Sequence, residues 1–484
     1  MDQFKNYNKS CIISHIGDKE CSFHGQIRVI ENHRVLVEIL DVQRDIYLYM
    51  KNKNNILLYL KADQEYITIK DFMIRKRESQ LDKDLLNPLF KIEIEALNVC
   101  YGNSWCAEDL ETFVFDGFSC DITEGIELLG LTPYEEVEVP VSLGDVININ
   151  IRGRYKIIET KSGFSYAVFP DFSKQGIDLH FGTKHKIMYW SKEKMEIAEV
   201  KQKINDMLLF FETLSGELIT TTQVNLLNES EKFDYIGNCN FPKNELNVFK
   251  KNTFDSRWFV GERLFKVSDF DTDLDDALEK FNILIRNKNL AFNAYKQILL
   301  DEDVGIATTN KFLKVMQVIE GIERNDVNTE EQEKFDTHKA EILKNIKSEE
   351  DRKFIEKYCT NNGDNFFKCL QKITKNAVKN LSGLSNKELG ECHTYTLLQN
   401  IKNDRDAYTH ASHILTPILS VDELSWVTCC YKTFFRIEIL LELGLDVQTI
   451  RNRFSYDRFF VDCYDKLFNL KIKKEEVLQQ QDFM

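Results

Sequence analysis

The stretch Thr394-Tyr-Thr-Leu-Leu-Gln-Asn-Ile-Lys-Asn-Asp-Arg-Asp-Ala-Tyr-Thr-His410 decides how this chain is read. It lies in helix-patterned sequence that stops at Thr416-Pro417, and it places an arginine, Arg405, five positions before a histidine, His410. Arginine stays charged at any working pH and forks onto phosphate oxygens. Histidine takes or gives a proton near neutrality. The two suffice for RNA cleavage without a metal, in which the 2′-hydroxyl attacks the neighbouring phosphodiester. A base takes the hydroxyl proton, and a fixed cation holds the charge that builds on the phosphorus oxygens. On an ideal helix the two side chains point about 140° apart. They share a site only if the helix ends or distorts between them, or if a second subunit supplies the partner. The residues alone also allow a plainer arrangement, with Arg405 paired to Asp404 or Asp406 and His410 at a helix end. His413 lies one turn beyond His410, but no further Cys or His stands nearby to complete a metal site.

The same stretch resembles the signature of the HEPN superfamily of small helical ribonucleases. A polar residue directly after the arginine and Tyr-Thr-His at the end look most like its ApeA-like branch, found in bacterial anti-phage proteins. Many relatives carry asparagine after the arginine, where this chain has Asp406. The resemblance covers roughly the C-terminal half. It implies a composite site across a homodimer or higher homo-oligomer, with Arg405 on the phosphate and His410 as the proton-transfer group. Asp406 would orient the histidine or bind a ribose hydroxyl, and Tyr408 would stack on a base. It also implies toxic cleavage of host RNA, tRNA in particular, once phage infection is sensed. No cofactor or metal is expected.

Composition sets limits on this reading. With 484 residues, 43% of them apolar and 12% aromatic, the chain is long and apolar enough to fold as several domains. The N-terminus has no apolar secretory segment and no run approaches a membrane span, so a cytoplasmic protein without a membrane partner is expected. Twelve cysteines are irregularly spaced with no Cys-x2-Cys pair, which reads as reduced, mostly buried thiols. The net charge of −15 excludes a high-pI nucleic-acid-binding domain, so any RNA contact must be local. Residues 101–150 hold 11 acidic residues and no Lys or Arg, without the register of a calcium loop.

Two halves emerge from the periodicities, an α+β protein. Residues 1–265 read as a β-rich recognition or regulatory domain, sandwich-like or a curved sheet of short strands, where a phage-derived trigger would act. Gln26-Ile-Arg-Val-Ile and Val35-Leu-Val-Glu-Ile form a hairpin, and Val137-Glu-Val-Pro-Val and Val146-Ile-Asn-Ile-Asn-Ile-Arg alternate as half-buried strands. Ser162-Gly163 and Pro170-Asp171 mark turns, and further strand-like pieces fall at Glu217-Leu-Ile-Thr-Thr-Thr and Trp258-Phe-Val. A helix over about 192–214 shows one apolar face. There is no G-x-x-x-x-G-K-[ST] and no G-x-G-x-x-G, hence no nucleotide-loop signature.

Residues 266–484 read as a helical bundle, the expected HEPN-like ribonuclease domain. Asp271-Thr-Asp-Leu-Asp-Asp caps its first helix. Phe312, Val315, Met316, Ile319 and Ile322 stripe the next, and further helices are expected over about 365–381, 388–405 and from 421 to a C-cap at Gly444. Lys368, Lys372, Lys375 and Lys379 fall on one helical face, either a contact for the RNA backbone or a solvated surface. The basic-aromatic run from Arg451 to Lys474 reads as core or dimer contacts before stacking. The rival function is a non-catalytic HEPN-like interaction or nucleotide-binding module.

Overall fold

Strand-forming sequence dominates the first half, and the computed structural model shows how its strands close. The structure describes residues 8–30, 34–52, 57–80, 89–102, 114–122, 134–138, 150–153, 156–175, 178–219, 221–228, 231–237, 265, 269–270, 274–304, 308–323, 329–346, 348–358, 366–384, 391–410 and 417–468. The chain divides into two compact units, Met1–Phe211 with Ile219–Phe254, and Glu212–Leu218 with Asp255–Met484.

The first unit begins with β1 (Asn8–Ile16), β2 (Lys19–Ile30), β3 (Arg34–Val42), β4 (Leu57–Ala62), β5 (Glu65–Gln80) and β6 (Leu89–Gly102). These six close into a barrel-like ring in the order β6-β3-β2-β1-β4-β5, because β5 returns to pair with β6. The hairpin expected from Gln26 to Ile39 is β2–β3, antiparallel with Val29 opposite Val35. Alternation places Ile13, Val37, Ile39, Leu58, Leu60, Ile69, Ile92 and Ile94 inside, all fully buried. Helix α1 (Arg44–Asn52) adds Ile46, Tyr47 and Met50 to this core, with the Tyr47 ring against Phe90.

Strand β6 is longer than the ring needs. Its second half, Asn98 to Tyr101, also pairs with β14 (Glu231–Gly237) and starts a second run of strands. That run continues through β13 (Thr221–Asn228), β7 (Val114–Ile122), β12 (Asp178–Glu196), β11 (Phe164–Gln175) and β10 (Lys156–Glu159). A separate pair, β8 (Tyr134–Glu138) with β9 (Asn150–Gly153), overlaps the two alternating segments expected there.

Several expectations need correcting. The strands are not uniformly short, since β12 spans 19 residues and β5 spans 16. Pro170-Asp171 is no turn but lies inside β11, with Pro170 opposite Thr183. Among the described residues β10 pairs with β11 as far as Val168, two positions before Pro170. Residues 192–196 end β12, so α2 begins later, as Ile197–Ser215. Its expected face of Ile197, Val200, Ile204, Met207, Leu208 and Phe211 is buried. Trp258-Phe-Val, Asp271 and the Lys466 to Lys474 end of the tail beyond 468 lie outside the described residues.

The second unit is helical, with α3 (Leu274–Asn287), α4 (Asn289–Val304), α5 (Thr308–Glu323), α6 (Thr329–Asn345), α7 (Glu349–Tyr358), α8 (Phe366–Asn380), α9 (Glu391–His410), α10 (Val421–Glu442), α11 (Val447–Ser455) and α12 (Arg458–Phe468). Helix α5 is central and packs against α4, α8, α9 and α10. Its stripe of Phe312, Val315, Met316 and Ile319 is at most 1% exposed. Helix α10 starts on a capping box in which Ser420 and Glu423 satisfy each other's backbone N–H, and Gly444 follows it at φ +96°. The aromatic tail is core in part: Phe454, Phe460 and Tyr464 are buried, whereas Tyr456 and Phe459 are exposed, and the Arg436 guanidinium lies over the Phe454 ring. Arg453 grips Asp269 through both carboxylate oxygens and Arg451 donates to the Asn380 carbonyl, so these arginines serve the fold.

Candidate functional site

Helix α9 runs without interruption through Arg405 to His410, beyond the expected end near 405. Arg405 and His410 therefore sit about 140° apart around one regular helix. Between them the described helix neither ends nor distorts. The His410 side chain and residues 411–416, His413 included, lie outside the described residues.

Arg405 is held on three sides. Its Nη2 donates to Glu320 Oε2 of α5 at 3.0 Å, and its Nη1 donates to Asp406 Oδ1 at 3.0 Å. The guanidinium lies over the Phe366 ring of α8, 4.9 Å from its centroid. The side chain stays 24% exposed. Charge is balanced locally: Lys402 donates to the other Asp406 oxygen at 3.0 Å, giving two cations and two carboxylates. Burial pushes the Asp406 carboxyl up, but the hydrogen bonds from Lys402 and Arg405 outweigh it and hold the group below its ordinary value.

The neighbouring Asp404 does something different. It is fully buried and accepts from the Ile418 and Leu419 backbone N–H groups at 2.7 and 2.9 Å. It thereby ties the end of α9 to the start of α10. Burial raises its pKa, with the two backbone hydrogen bonds working against that. Thr409 donates to the Arg405 carbonyl at 2.7 Å, and Tyr408 sits edge-on to Phe312 with its hydroxyl pKa raised by burial. Asp406 pairs with Arg405, while Tyr408, one turn beyond the inward-facing Asp404, lies on the side that meets Phe312.

The lysine face forms as its spacing predicts. Lys368, Lys372, Lys375 and Lys379 are exposed on α8, with Leu370, Ile373 and Ala377 buried behind them. Lys372 Nζ is 2.7 Å from the buried carboxylate of Glu323. The neighbouring Glu438 is pushed up to about 7 by burial, with Glu323 adding repulsion and Asn376 and Lys372 opposing it.

Sequence reasoning missed Glu320, Phe366 and Lys402. Glu320 is 85 positions from Arg405 and sits on another helix, and no spacing rule pairs them. Lys402 was open to detection, as an i, i+4 neighbour of Asp406.

This geometry defines a helical bundle with a fixed, partly exposed arginine on the helix that ends in His410. A protein-family model described as Apea-like HEPN matches residues 313–449, well under half of the chain but spanning α5 to the start of α11. The helical unit contains an ApeA-like HEPN domain, and such a domain supports a nuclease-like role in defence. No curated protein and no solved structure matches the chain. Among the described residues, no helix is long and apolar enough to cross a membrane.

Proposed function

We propose that this protein is an endoribonuclease of bacterial anti-phage defence, acting by abortive infection. It cleaves host RNA, tRNA in particular, through Arg405 and His410. The observation that carries the reading is the Arg405 side chain, fixed but partly exposed, within the segment that matches the Apea-like HEPN family. Arg405 takes the non-bridging oxygens of the scissile phosphate. His410 moves the proton between the attacking 2′-hydroxyl and the leaving 5′-oxygen, and Asp406, which accepts from Arg405, assists by holding the arginine in place. The products are a 2′,3′-cyclic phosphate and a 5′-hydroxyl. This chemistry calls for no metal or cofactor.

Because α9 is unbroken, Arg405 of one copy works with His410 of another, in a homodimer or larger homo-oligomer. The exposed lysines of α8, namely Lys368, Lys372, Lys375 and Lys379, steer the RNA backbone, with Tyr408 as a stacking surface. Residues 1–265 serve as the recognition or regulatory domain that responds to a phage product, and 266–484 as the ribonuclease domain. The protein acts in the cytoplasm.

A second reading, a non-catalytic interaction or nucleotide-binding module, is favoured by the balanced charge around Arg405. Growth of a phage-challenged host expressing the wild type, Arg405→Ala or His410→Ala separates the two, with total RNA resolved on a denaturing gel. Protection and discrete RNA fragments from the wild type, both lost in folded variants, are expected. Equal protection by all three proteins overturns the ribonuclease.

A further inference from the structure

Next to Arg405 the helical unit has an open cleft of about 500 Å³. It is walled by Arg286 and Lys288 at the end of α3, Leu290 in the first turn of α4, and Gln317 and Glu320 of α5. Glu320 faces two ways, since it lines the cleft and its Oε2 is 3.0 Å from Arg405 Nη2. The volume suits one nucleotide. The wall chemistry also suits one. Two cations can neutralise a phosphate, while Leu290, 79% exposed, offers an apolar platform. Gln317 can read a base edge, and Glu320 can accept from a ribose hydroxyl. The start of α4 adds a dipole favourable to an anion. A large aliphatic side chain left this bare beside two cations has no role in the unit's own core.

We propose that this cleft is a nucleotide subsite of the RNA, holding the residue that flanks the phosphate on Arg405. The inference rests on the ribonuclease reading and extends it from one phosphate to an adjacent nucleotide. Arg286 and Lys288 bind the flanking phosphate, the base lies on Leu290, and Glu320 links the ribose to the arginine.

The test uses the full chain carrying His410→Ala, so that RNA is bound uncut. A short fluorescein-labelled single-stranded RNA is titrated by anisotropy over a range of salt concentrations. Adding Arg286→Ala with Lys288→Ala is expected to weaken binding about tenfold and to lower the salt slope by about 0.7, the value for one phosphate no longer neutralised on a single strand. The matched pair Lys344→Ala with Lys353→Ala, exposed lysines on α6 and α7, leaves both quantities unchanged. An unchanged affinity and slope in the cleft variant overturns the proposal, as does an equal loss in the matched pair. Uridine monophosphate is the probe for a free nucleotide. If it binds through Arg286 and Lys288 while RNA affinity does not depend on them, the cleft takes a free nucleotide and the RNA subsite is overturned. Should melting show the alanine pair to be damaged, Arg286→Gln with Lys288→Gln repeats the comparison. The two readings fail separately. A wild type that never cuts RNA, with binding still dependent on the cleft, sinks the ribonuclease alone. Cleavage by Arg286→Ala/Lys288→Ala with an unchanged KM sinks the subsite alone.

Discussion

Arg405 owes its orientation to three groups from three helices: Asp406 beside it on α9, Glu320 on α5 and Phe366 on α8. A guanidinium satisfies all of them because it is planar, forked and able to stack, whereas an ammonium is a compact point charge. Arg405→Lys therefore keeps the charge but loses the fork and the stack. Its RNA cleavage is expected to fall about 10²–10³-fold, the usual loss on removing a fixed donor from a developing oxyanion. Single-turnover rates check this, and a rate within a few-fold of wild type would show that charge alone suffices. Asp404 makes a separate, structural prediction. Asp404→Ala leaves the Ile418 and Leu419 N–H groups without their acceptor and should destabilise the helical unit by about 1–3 kcal/mol. Asp404→Asn keeps one acceptor oxygen and should lose less, as thermal melts of the two variants will show. Of this neighbourhood the sequence revealed Arg405, Asp406 and Tyr408 through the motif they belong to. It was silent on Glu320, because an ion pair between distant positions leaves no periodic trace.

At the scale of the element, helices α5, α8 and α10 converge on a carboxylate pair, Glu323 and Glu438, with Lys372 and Asn376 between them and Glu442 adding further charge. Burial raises Glu438 to about 7, above the ordinary 4.5 of a glutamate. The raised value favours the folded state while Glu438 is protonated. That contribution is full below about pH 4.5 and is lost as pH rises through about 7. Glu438→Gln, a neutral isostere, should raise the melting temperature of the helical unit at pH 8 and leave it unchanged near pH 4. A gain that is equal at both pH values would sink this account. The periodic elements themselves were legible: the apolar faces of α2, α5 and α8 appear at 3.6-residue spacing because each helix buries one side. Helix α4 was not, since only Lys288 separates it from α3 and neither Gly nor Pro marks the break. Pro170 misled for the opposite reason, a turn-forming residue placed inside a strand, opposite Thr183.

At the scale of the whole molecule, an unbroken α9 makes the proposed active site a property of two copies. Mixing Arg405→Ala with His410→Ala should restore part of the RNA cleavage that each lacks, because one composite site in a mixed pair carries both wild-type residues. Cleavage assays on the mixture after subunit exchange check this. No recovery in a mixture shown to exchange subunits would place both groups of the site in one chain. The division into a β-rich and a helical half was visible in the sequence, because the hydrophobic period changes from 2 to 3.6 and each period reflects one kind of buried face. The motif, the exposed lysine face and the burial of most described cysteines followed from local pattern in the same way; among the described residues Cys11, Cys100, Cys120, Cys369, Cys430 and Cys463 are buried. Tertiary structure alone decided the rest. Closure of the six-stranded ring depends on β5 returning to β6, the neutralisation of Arg405 depends on a carboxylate from α5, and the cleft beside it depends on where α3, α4 and α5 meet. Sequence determines which face of an element is apolar, but which element comes to lie against it is settled only when the chain packs, since burial is non-directional.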